Sequence, residues 1–437
     1  MSSEPEREAT ALRQAMVDML VQAGNIRSQP VEAAIRAVPR HHFLPEVSLK
    51  TAYADQAVPT KYLEGFAVSA ASQPTMVAIM LEGLALAPGQ RVLEIGAGTG
   101  YNAALMAHIV GASGQIVTVD IDEDIVVGAR THLAAAGFAG VQVVWGDGAL
   151  GYAPLAPYDR IILTVGAADI EPAWRDQLAP SGRLLVPLSI AGGVQKVIAL
   201  EPAGDHLRST FMSECRFMPL RGSAGGQEQE QWLNGNPALI LRQGAQPRAS
   251  PERVYAWLVD AMDATAAGRT TPIGQDYPGV IRLTPAELTM GLLPWLDLRQ
   301  PGFCTLRAGG ETAVEGMLPP LFSGGSGESA WRMSSGLCDE TGLCLLYCPP
   351  PRTLSPDHLY EPPFDLTLRS YGQDGPLQRT LDAIESWRQA ARPSTERMRL
   401  RVYPRDVSYM PAARETALDR AASRLVLEWQ FTGPAGT

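Results

Sequence analysis

The sequence predicts an α/β protein: a Rossmann-like, doubly wound parallel sheet in the first half, joined to a second, α+β domain. Three observations carry this expectation. Between residues 91 and 188, short and continuously apolar runs alternate with helical patterns, as in a parallel sheet buried on both faces. The first of those runs leads into a glycine-rich turn, RVLEIGAGTGYNAALMA at 91–107. Beyond residue 222 the alternation stops and a different pattern begins.

Taken in order, residues 9–23 place Leu12, Met16, Met19, Leu20 and Ala23 at helical spacing. The expected parallel strands are VLEI (92–95), QIVTVD (115–120), VQVVW (141–145), DRIILTV (159–165) and GRLLVPL (182–188), with a helix at 123–136. QKVIAL (195–200) and LRSTFM (207–212) read as closing strands, and RFMPLRG (216–222) ends the pattern. The glycine-rich, polar GSAGGQEQEQ (222–231) marks a boundary. It divides a unit at 1–222 from one at 223–437. The second unit opens with a helix at 251–266, running from Ser250-Pro251 to Gly268 with Val254, Trp257, Leu258 and Ala261 on one face. A strand at 365–372 precedes a helix at 376–390 that carries Leu377, Leu381, Ile384 and Trp387 on one face, and strands follow at 398–404 and 424–431.

Composition narrows the function. With 437 residues, 46% of them hydrophobic, a sizeable core is easily buried. Only 19% are charged and the net charge is −10, which argues against a nucleic-acid or anionic-membrane partner, since phosphates need a basic footprint. The charged N-terminal MSSEPEREATALRQAM lacks the apolar core of a signal peptide, and no apolar run is long enough to span a bilayer. The expected location is the cytoplasm. Five cysteines fit a reducing compartment. Cys338, Cys344 and Cys348 cluster without a CxxC, so buried free thiols are expected and no metal site. Oligomeric state is not legible.

The glycine turn suggests the cofactor. Glycines permit a tight turn and close approach of a ligand to the backbone, and the helix behind them offers unpaired amides. A dinucleotide site wants GxGxxG or GxGxxA, but Tyr101 stands where the third small residue belongs. The pattern present is E-x-G-x-G-x-G, with Glu94 ahead of Gly96, Ala97, Gly98, Thr99 and Gly100. That is the pattern of S-adenosylmethionine (SAM) methyltransferases, the class I fold, with S-adenosylhomocysteine as product. A carboxylate there suits a cationic ligand and suits a pyrophosphate poorly. Asp120, ending the second strand, can accept both ribose hydroxyls. Asp147, in WGDG after the third, is placed to accept from an adenine amino group. The bland alternative is a glycine turn with ordinary solvated loop acids.

At this point the chain resembles the protein-L-isoaspartate O-methyltransferase family. The resemblance spans residues 10–222 and is carried by IRAVPRHHFLPE (35–46), AYADQAVP (52–59), SQPTMVAIMLEGL (72–84), VLEIGAGTGYNAALMA, GDG, RIILTVGAADI (160–170), QLAPSGRLLVPL (177–188) and RFMPLRG. It implies methylation of a carboxylate on an isoaspartyl residue, with the ester collapsing to a succinimide. It further implies Ile121 and Gly148 at the cofactor, and Phe66, Ser69, Ser72, Val165 and Gly166 at the peptide. The chemistry agrees. A carboxylate with a pKa of about 4 is already nucleophilic at neutral pH and needs positioning more than a base. Ser72, matching the family's active-site serine, is the candidate to orient it. The competing role for Ser72 is to cap the helix that follows Gln73-Pro74. His41 and His42 are expected to pack or face solvent.

Two departures matter. The run YLEGFAVSAAS (62–72) replaces the family's shorter GxGQTIS, over the expected acceptor site. About half of the chain also lies beyond the resemblance. This layout resembles homologues that accompany ribosomally made, modified peptides (lanthipeptides, lasso peptides, graspetides). That resemblance implies methylation of an aspartate side chain, leading to aspartimide or isoaspartate, and a C-terminal peptide-recognition domain. LPWLDLRQPGFCTL (293–306) resembles part of such extensions. Three readings stand: a peptide-tailoring aspartate O-methyltransferase, a general isoaspartyl repair enzyme with an accessory domain, and a SAM-binding regulatory protein without catalysis. No nucleic acid or membrane partner is expected in any of them.

Overall fold

The computed structural model describes residues 4–429 apart from 64–65, 192, 225–228, 245–246, 267–273, 311–317, 325–329, 349–361 and 413. Helices α1 (Glu4–Gln22), α2 (Gln29–Ala37) and α3 (Leu49–Tyr53) precede a hairpin of β1 (Val58–Leu63) and β2 (Phe66–Ala71). Then come α4 (Pro74–Leu84), β3 (Arg91–Ile95), α5 (Tyr101–Val110), β4 (Gln115–Asp120), α6 (Glu123–Ala135), β5 (Gln142–Trp145), β6 (Tyr158–Leu163), α7 (Pro172–Asp176), β7 (Leu178–Ala191), β8 (Val194–Ala203) and β9 (His206–Cys215). Each apolar run named above forms a strand. β3, β4, β5, β6 and β7 are mutually parallel in the order β7-β6-β3-β4-β5, and β8 and β9 add on antiparallel. β3 therefore has β4 on one side and β6 on the other. The chain reverses direction there, and open α/β sheets bind ligands at such a reversal.

The long helices lie on one face. α1, α2, α4, α5 and α6 share a core with Ile162, Leu185, Val197 and Ala199. The opposite face, with Ile161, Leu163, Leu184 and Val186, is covered by Trp174 of α7, the short turns around Tyr152 and Leu155, and Leu298 from the second half.

The second half builds a separate antiparallel sheet. Its members are β10 (Gln229–Leu233), β11 (Asn236–Gln243), β12 (Gln275–Leu283), β13 (Phe303–Gly309), β14 (Phe322–Gly324), β15 (Trp331–Cys338), β16 (Gly342–Tyr347) and β17 (Phe364–Gly372). The order is β10-β11-β13-β15-β16-β17-β12, with β14 on β15. Helix α8 (Pro251–Ala266) packs on one face through Val254 and Leu258. On the other, α9 (Pro285–Glu287) runs through a π-helical turn (Leu288–Leu292) into α10 (Leu293–Arg299), beside α11 (Gly375–Gln389). Cys304, Cys338 and Cys344 are buried free thiols on neighbouring strands, and Cys348 is buried just beyond them. Among the described residues, no helix is long and apolar enough to cross a membrane.

The boundary at 222 needs correction. Residues after 398 do not stay with the second sheet. β18 (Arg399–Pro404), β19 (Glu415–Asp419) and β20 (Ser423–Glu428) extend the first one, giving ten strands in the order β19-β20-β18-β9-β8-β7-β6-β3-β4-β5. The join is at Arg401 opposite Arg208 and Val402 opposite Leu207. The physical reason is edge protection. β9 would otherwise present unpaired backbone groups, and Leu400, Val402, Leu425 and Leu427 finish the core under it. Trp429 then returns to the second unit, edge-on to Trp295 of α10 at 5.7 Å. The chain thus crosses between the two units and back.

Candidate active site

A cleft opens where β3 and β6 end. It is lined by Glu94, Gly96, Ala97, Gly98, Thr99, Tyr101 and Asn102, by Thr164, and by Arg40, Ala70, Ala71, Ser72, Val77 and Met80. The turn is shaped by necessity. Gly96 has φ 98° and Gly100 φ 89°, in the left-handed region that only glycine adopts freely. A Cβ at Gly96 would also run into the Thr164 hydroxyl, which donates to the Gly96 carbonyl at 2.6 Å. Gly100 caps α5.

Glu94 is fully buried on β3. Its Oε1 accepts from Asn102 Nδ2 at 2.8 Å and its Oε2 from Thr118 Oγ1 at 2.6 Å. Burial pushes its pKa up to about 7, against the pull of those two hydrogen bonds. Asp120 ends β4, and its carboxylate accepts from the amides of Gly98 and Asp122, each at 3.2 Å. Burial raises its pKa too, while these amides oppose the rise. Ile121 follows, its carbonyl accepting from Trp145 Nε1 at 3.0 Å. A buried carboxylate with only neutral donors, a glycine turn and a strand-end acid together suit a cationic, ribose-bearing ligand.

Asp147, like Asp120, Ile121 and Gly148, is not among the residues lining the cleft. Its oxygens accept from the amides of Ala149 at 3.0 Å and Ser223 at 2.8 Å. Gly222 presses so close that a Cβ there would lie 2.7 Å from Oδ1. Burial alone would raise its pKa, but those donors outweigh burial and hold it below the usual value. The carboxylate anchors the chain where it leaves the catalytic unit, an engagement that GDG spacing could not reveal. Gly148 is buried beside it, its carbonyl accepting from Trp174 Nε1 at 2.9 Å.

On the acceptor side, Ser72 precedes α4 but does not cap it. Gln73 is the N-cap, and Asp55 takes the Thr75 amide at 2.8 Å and hydroxyl at 2.7 Å. Among the described residues the Ser72 hydroxyl has no hydrogen-bond partner. Its carbonyl accepts from Arg40 Nη2 at 2.8 Å. Arg40 is buried, donates also to the Ala52 carbonyl at 2.9 Å, and lies over the Tyr101 ring at 5.0 Å. His41 packs through a 2.7 Å hydrogen bond to Tyr53, and His42 is exposed. Ser69 is buried within the hairpin, accepting from Thr60 at 3.0 Å, so Ala70 and Ala71 face the cleft in its place. Phe66 opens β2 opposite Leu63, and its side chain lies outside the described residues. Val165 and Gly166 follow Thr164, with Gly166 bridged to Pro219.

The hairpin is tied to the segment that follows Asp120. Lys61 reaches Asp124 at 2.6 Å and Asp122 at 3.0 Å, and Arg221 reaches Asp122 at 2.5 Å. The run 62–72, flagged only for its departure from the family, is thus the end of a flap latched to the loop after Asp120. Arg40, Asp55, Asn102, Thr118 and Thr164 were missed as site residues. Arg40, Asp55, Asn102 and Thr164 lay inside or beside quoted segments, but nothing local marks a partner across the fold.

Residues 11–225 match the family model for protein-L-isoaspartate(D-aspartate) O-methyltransferase. The chain is 39% identical to the protein-L-isoaspartate O-methyltransferase of Methanopyrus kandleri over 230 residues, 52% of this chain and 99% of that protein. It is 42% identical to the enzyme of that name from Roseiflexus sp. over 212 residues, 48% of this chain and 92% of that one. A solved protein-L-isoaspartate O-methyltransferase aligns with 94% of this chain and 98% of its own at 21% identity and a TM-score of 0.49. With relatives matched along nearly their whole length, the chain belongs to the protein-L-isoaspartate O-methyltransferase family and is a SAM-dependent carboxyl O-methyltransferase.

Proposed function

We propose that this enzyme methylates an aspartate side-chain carboxylate in a ribosomally made, constrained peptide. The observation that carries this reading is the amount of structure beyond the family match at residue 225: a second sheet, and three strands added to the catalytic one. An enzyme that must accept many flexible damaged peptides gains little from such a surface, whereas one that must hold a particular folded peptide does. The altered flap 62–72 supports the same reading.

Bound SAM supplies an electrophilic methyl group. Glu94 would face its cationic part, Asp120 would take the ribose hydroxyls, and Gly96 to Gly100, with Ile121 and Gly148, would hold the rest of it. The Ser72 hydroxyl, free of any capping duty, donates to one oxygen of the acceptor carboxylate. With SAM bound, the other oxygen would form a bond to the methyl carbon as the methyl–sulfur bond breaks and S-adenosylhomocysteine leaves, so no general base is needed. In the released ester, the neighbouring backbone nitrogen attacks the carbonyl, loses its proton and expels methanol. Aspartimide forms, or isoaspartate after water opens it. The names of the relatives favour a second reading, general repair of isoaspartyl proteins.

Mass spectrometry of two parallel reactions separates the readings. One holds a generic isoaspartyl peptide, the other the matured peptide encoded beside this gene. Methyl gain followed by methanol loss on the second alone is expected. Methylation of the first alone establishes repair.

A further inference from the structure

The tail of the chain reaches back to the loop behind the cleft. Residues 164–170 follow β6 and are held from three directions. The Gly166 amide donates to Met218 O at 2.7 Å, and the Leu220 amide donates to Gly166 O at 2.7 Å. The Ala167 amide donates to Pro187 O at 2.8 Å, and Ser189 returns a bond to Ala167 O at 2.9 Å. The third hold is Asp169. It is only 9% exposed. Its Oδ1 accepts from the Ile170 amide at 2.7 Å and from the Ser423 hydroxyl, and its Oδ2 accepts from the Ala422 amide at 2.6 Å.

Ala422 and Ser423 form the turn into β20, closed by the Arg420 amide on Ser423 O at 2.8 Å. Arg420 also donates from Nη2 to Ile190 O at 2.8 Å, at the end of β7. Both tail donors to Asp169 lie far outside residues 11–225, the extent of the family match. A buried carboxylate is costly unless its lone pairs are met. Here two of the three donors that meet them come from the extension.

We propose that the β19–β20 turn is a positioning element for the acceptor side of the active site, acting through Asp169. The extension then sets the geometry of Val165 and Gly166, and turnover depends on the last thirty or so residues that structure describes. This rests on the proposed function and on the family resemblance, which implies Val165 and Gly166 at the peptide. Asp169 is buried and does not line the cleft, so it is a positioning residue. Its effect belongs on peptide turnover and not on cofactor binding.

Hydrogen exchange on the full chain tests this, comparing wild type with Ser423→Ala and Asp169→Asn. Amides of 165–170 are expected to exchange about tenfold faster, the scale of one lost hydrogen bond to a charged group. Amides of 96–100 should not change. The kcat/KM for the methylated peptide should fall about as much, with S-adenosylhomocysteine affinity by calorimetry unchanged. Ser423→Thr, which keeps the hydroxyl, should restore both. Unchanged exchange at 165–170 in both variants overturns the proposal, as does faster exchange spread equally over 96–100. Faster loop exchange with unaltered peptide kinetics overturns its functional half. If wild type turns over no peptide, the acceptor assignment fails, while the exchange result still decides whether the tail holds the loop.

Discussion

At the residue scale, the site separates into a cofactor side and an acceptor side, and each can be perturbed alone. Asp120→Ala removes the proposed acceptor for two ribose hydroxyls. Hydrogen bonds to a charged group contribute roughly 1.5–3 kcal/mol, so SAM affinity by calorimetry should fall on the order of 100-fold. Ser72→Ala should leave that affinity nearly intact and lower kcat about tenfold, because its hydroxyl has no structural partner to lose. A large loss of SAM affinity would move Ser72 to the cofactor side. Glu94 is expected to make SAM binding pH-dependent. Its folded pKa, about 7, lies above its ordinary value of 4.5. In the cofactor-free protein its contribution to stability is therefore fully present below pH 4.5 and lost as pH rises through about 7. A cationic ligand favours the ionised form, so SAM affinity should rise from pH 6 to 8, with proton release at the lower end. Calorimetry in buffers of differing ionisation enthalpy would read that release, and Glu94→Gln should abolish it.

At the scale of elements, the flap is tied to the segment after β4 by ion pairs that solvent reaches. Tyr62 and Leu63 are exposed at its tip, and Lys61 ties it down through partly exposed ion pairs. Such pairs contribute about 0–1 kcal/mol. Lys61→Ala should therefore lower Tm by no more than about 2–4 °C while speeding limited proteolysis within 58–71. Equal proteolysis in both proteins would show that the latch does not hold the flap. The elements themselves were largely legible. Continuous apolar runs gave away β3 to β7, and the glycine turn with Glu94 and Asp120 was readable because strand, turn and helix are contiguous. What could not be read was which groups those side chains meet. Arg40 under Ser72, Asp55 capping α4 and Ser223 holding Asp147 all come from other parts of the chain.

At the scale of the whole molecule, the first sheet is completed by the end of the chain. Leu400, Val402, Leu425 and Leu427 are all fully buried. Each such side chain contributes roughly 1.5–3 kcal/mol, so together they rival the net stability of a typical domain, about 5–15 kcal/mol. A fragment ending at residue 225 is expected to lack a cooperative thermal transition by circular dichroism, although the family match ends there. A fragment that melts cooperatively within a few degrees of the full chain would refute this. α10, from the LPWLDLR segment, sits between the units. Leu298 packs into both cores, and Arg299 lies over the Trp295 ring at 4.0 Å.

The sequence by itself determined the parallel strands, the cofactor turn and the carboxylates of Glu94 and Asp120, because local periodicity and backbone demand act within a few residues. It also determined that MRLRVYP and RLVLEWQF present an apolar face. Alternation says that a face is buried, not against what. Only the tertiary structure decided that those strands close the edge left by β9, that Asp147 serves the chain's exit from the catalytic unit, and that a turn near the C-terminus holds the loop behind the cleft. These are pairings between distant segments, settled by which unpaired edge or buried carboxylate the rest of the fold leaves to be satisfied.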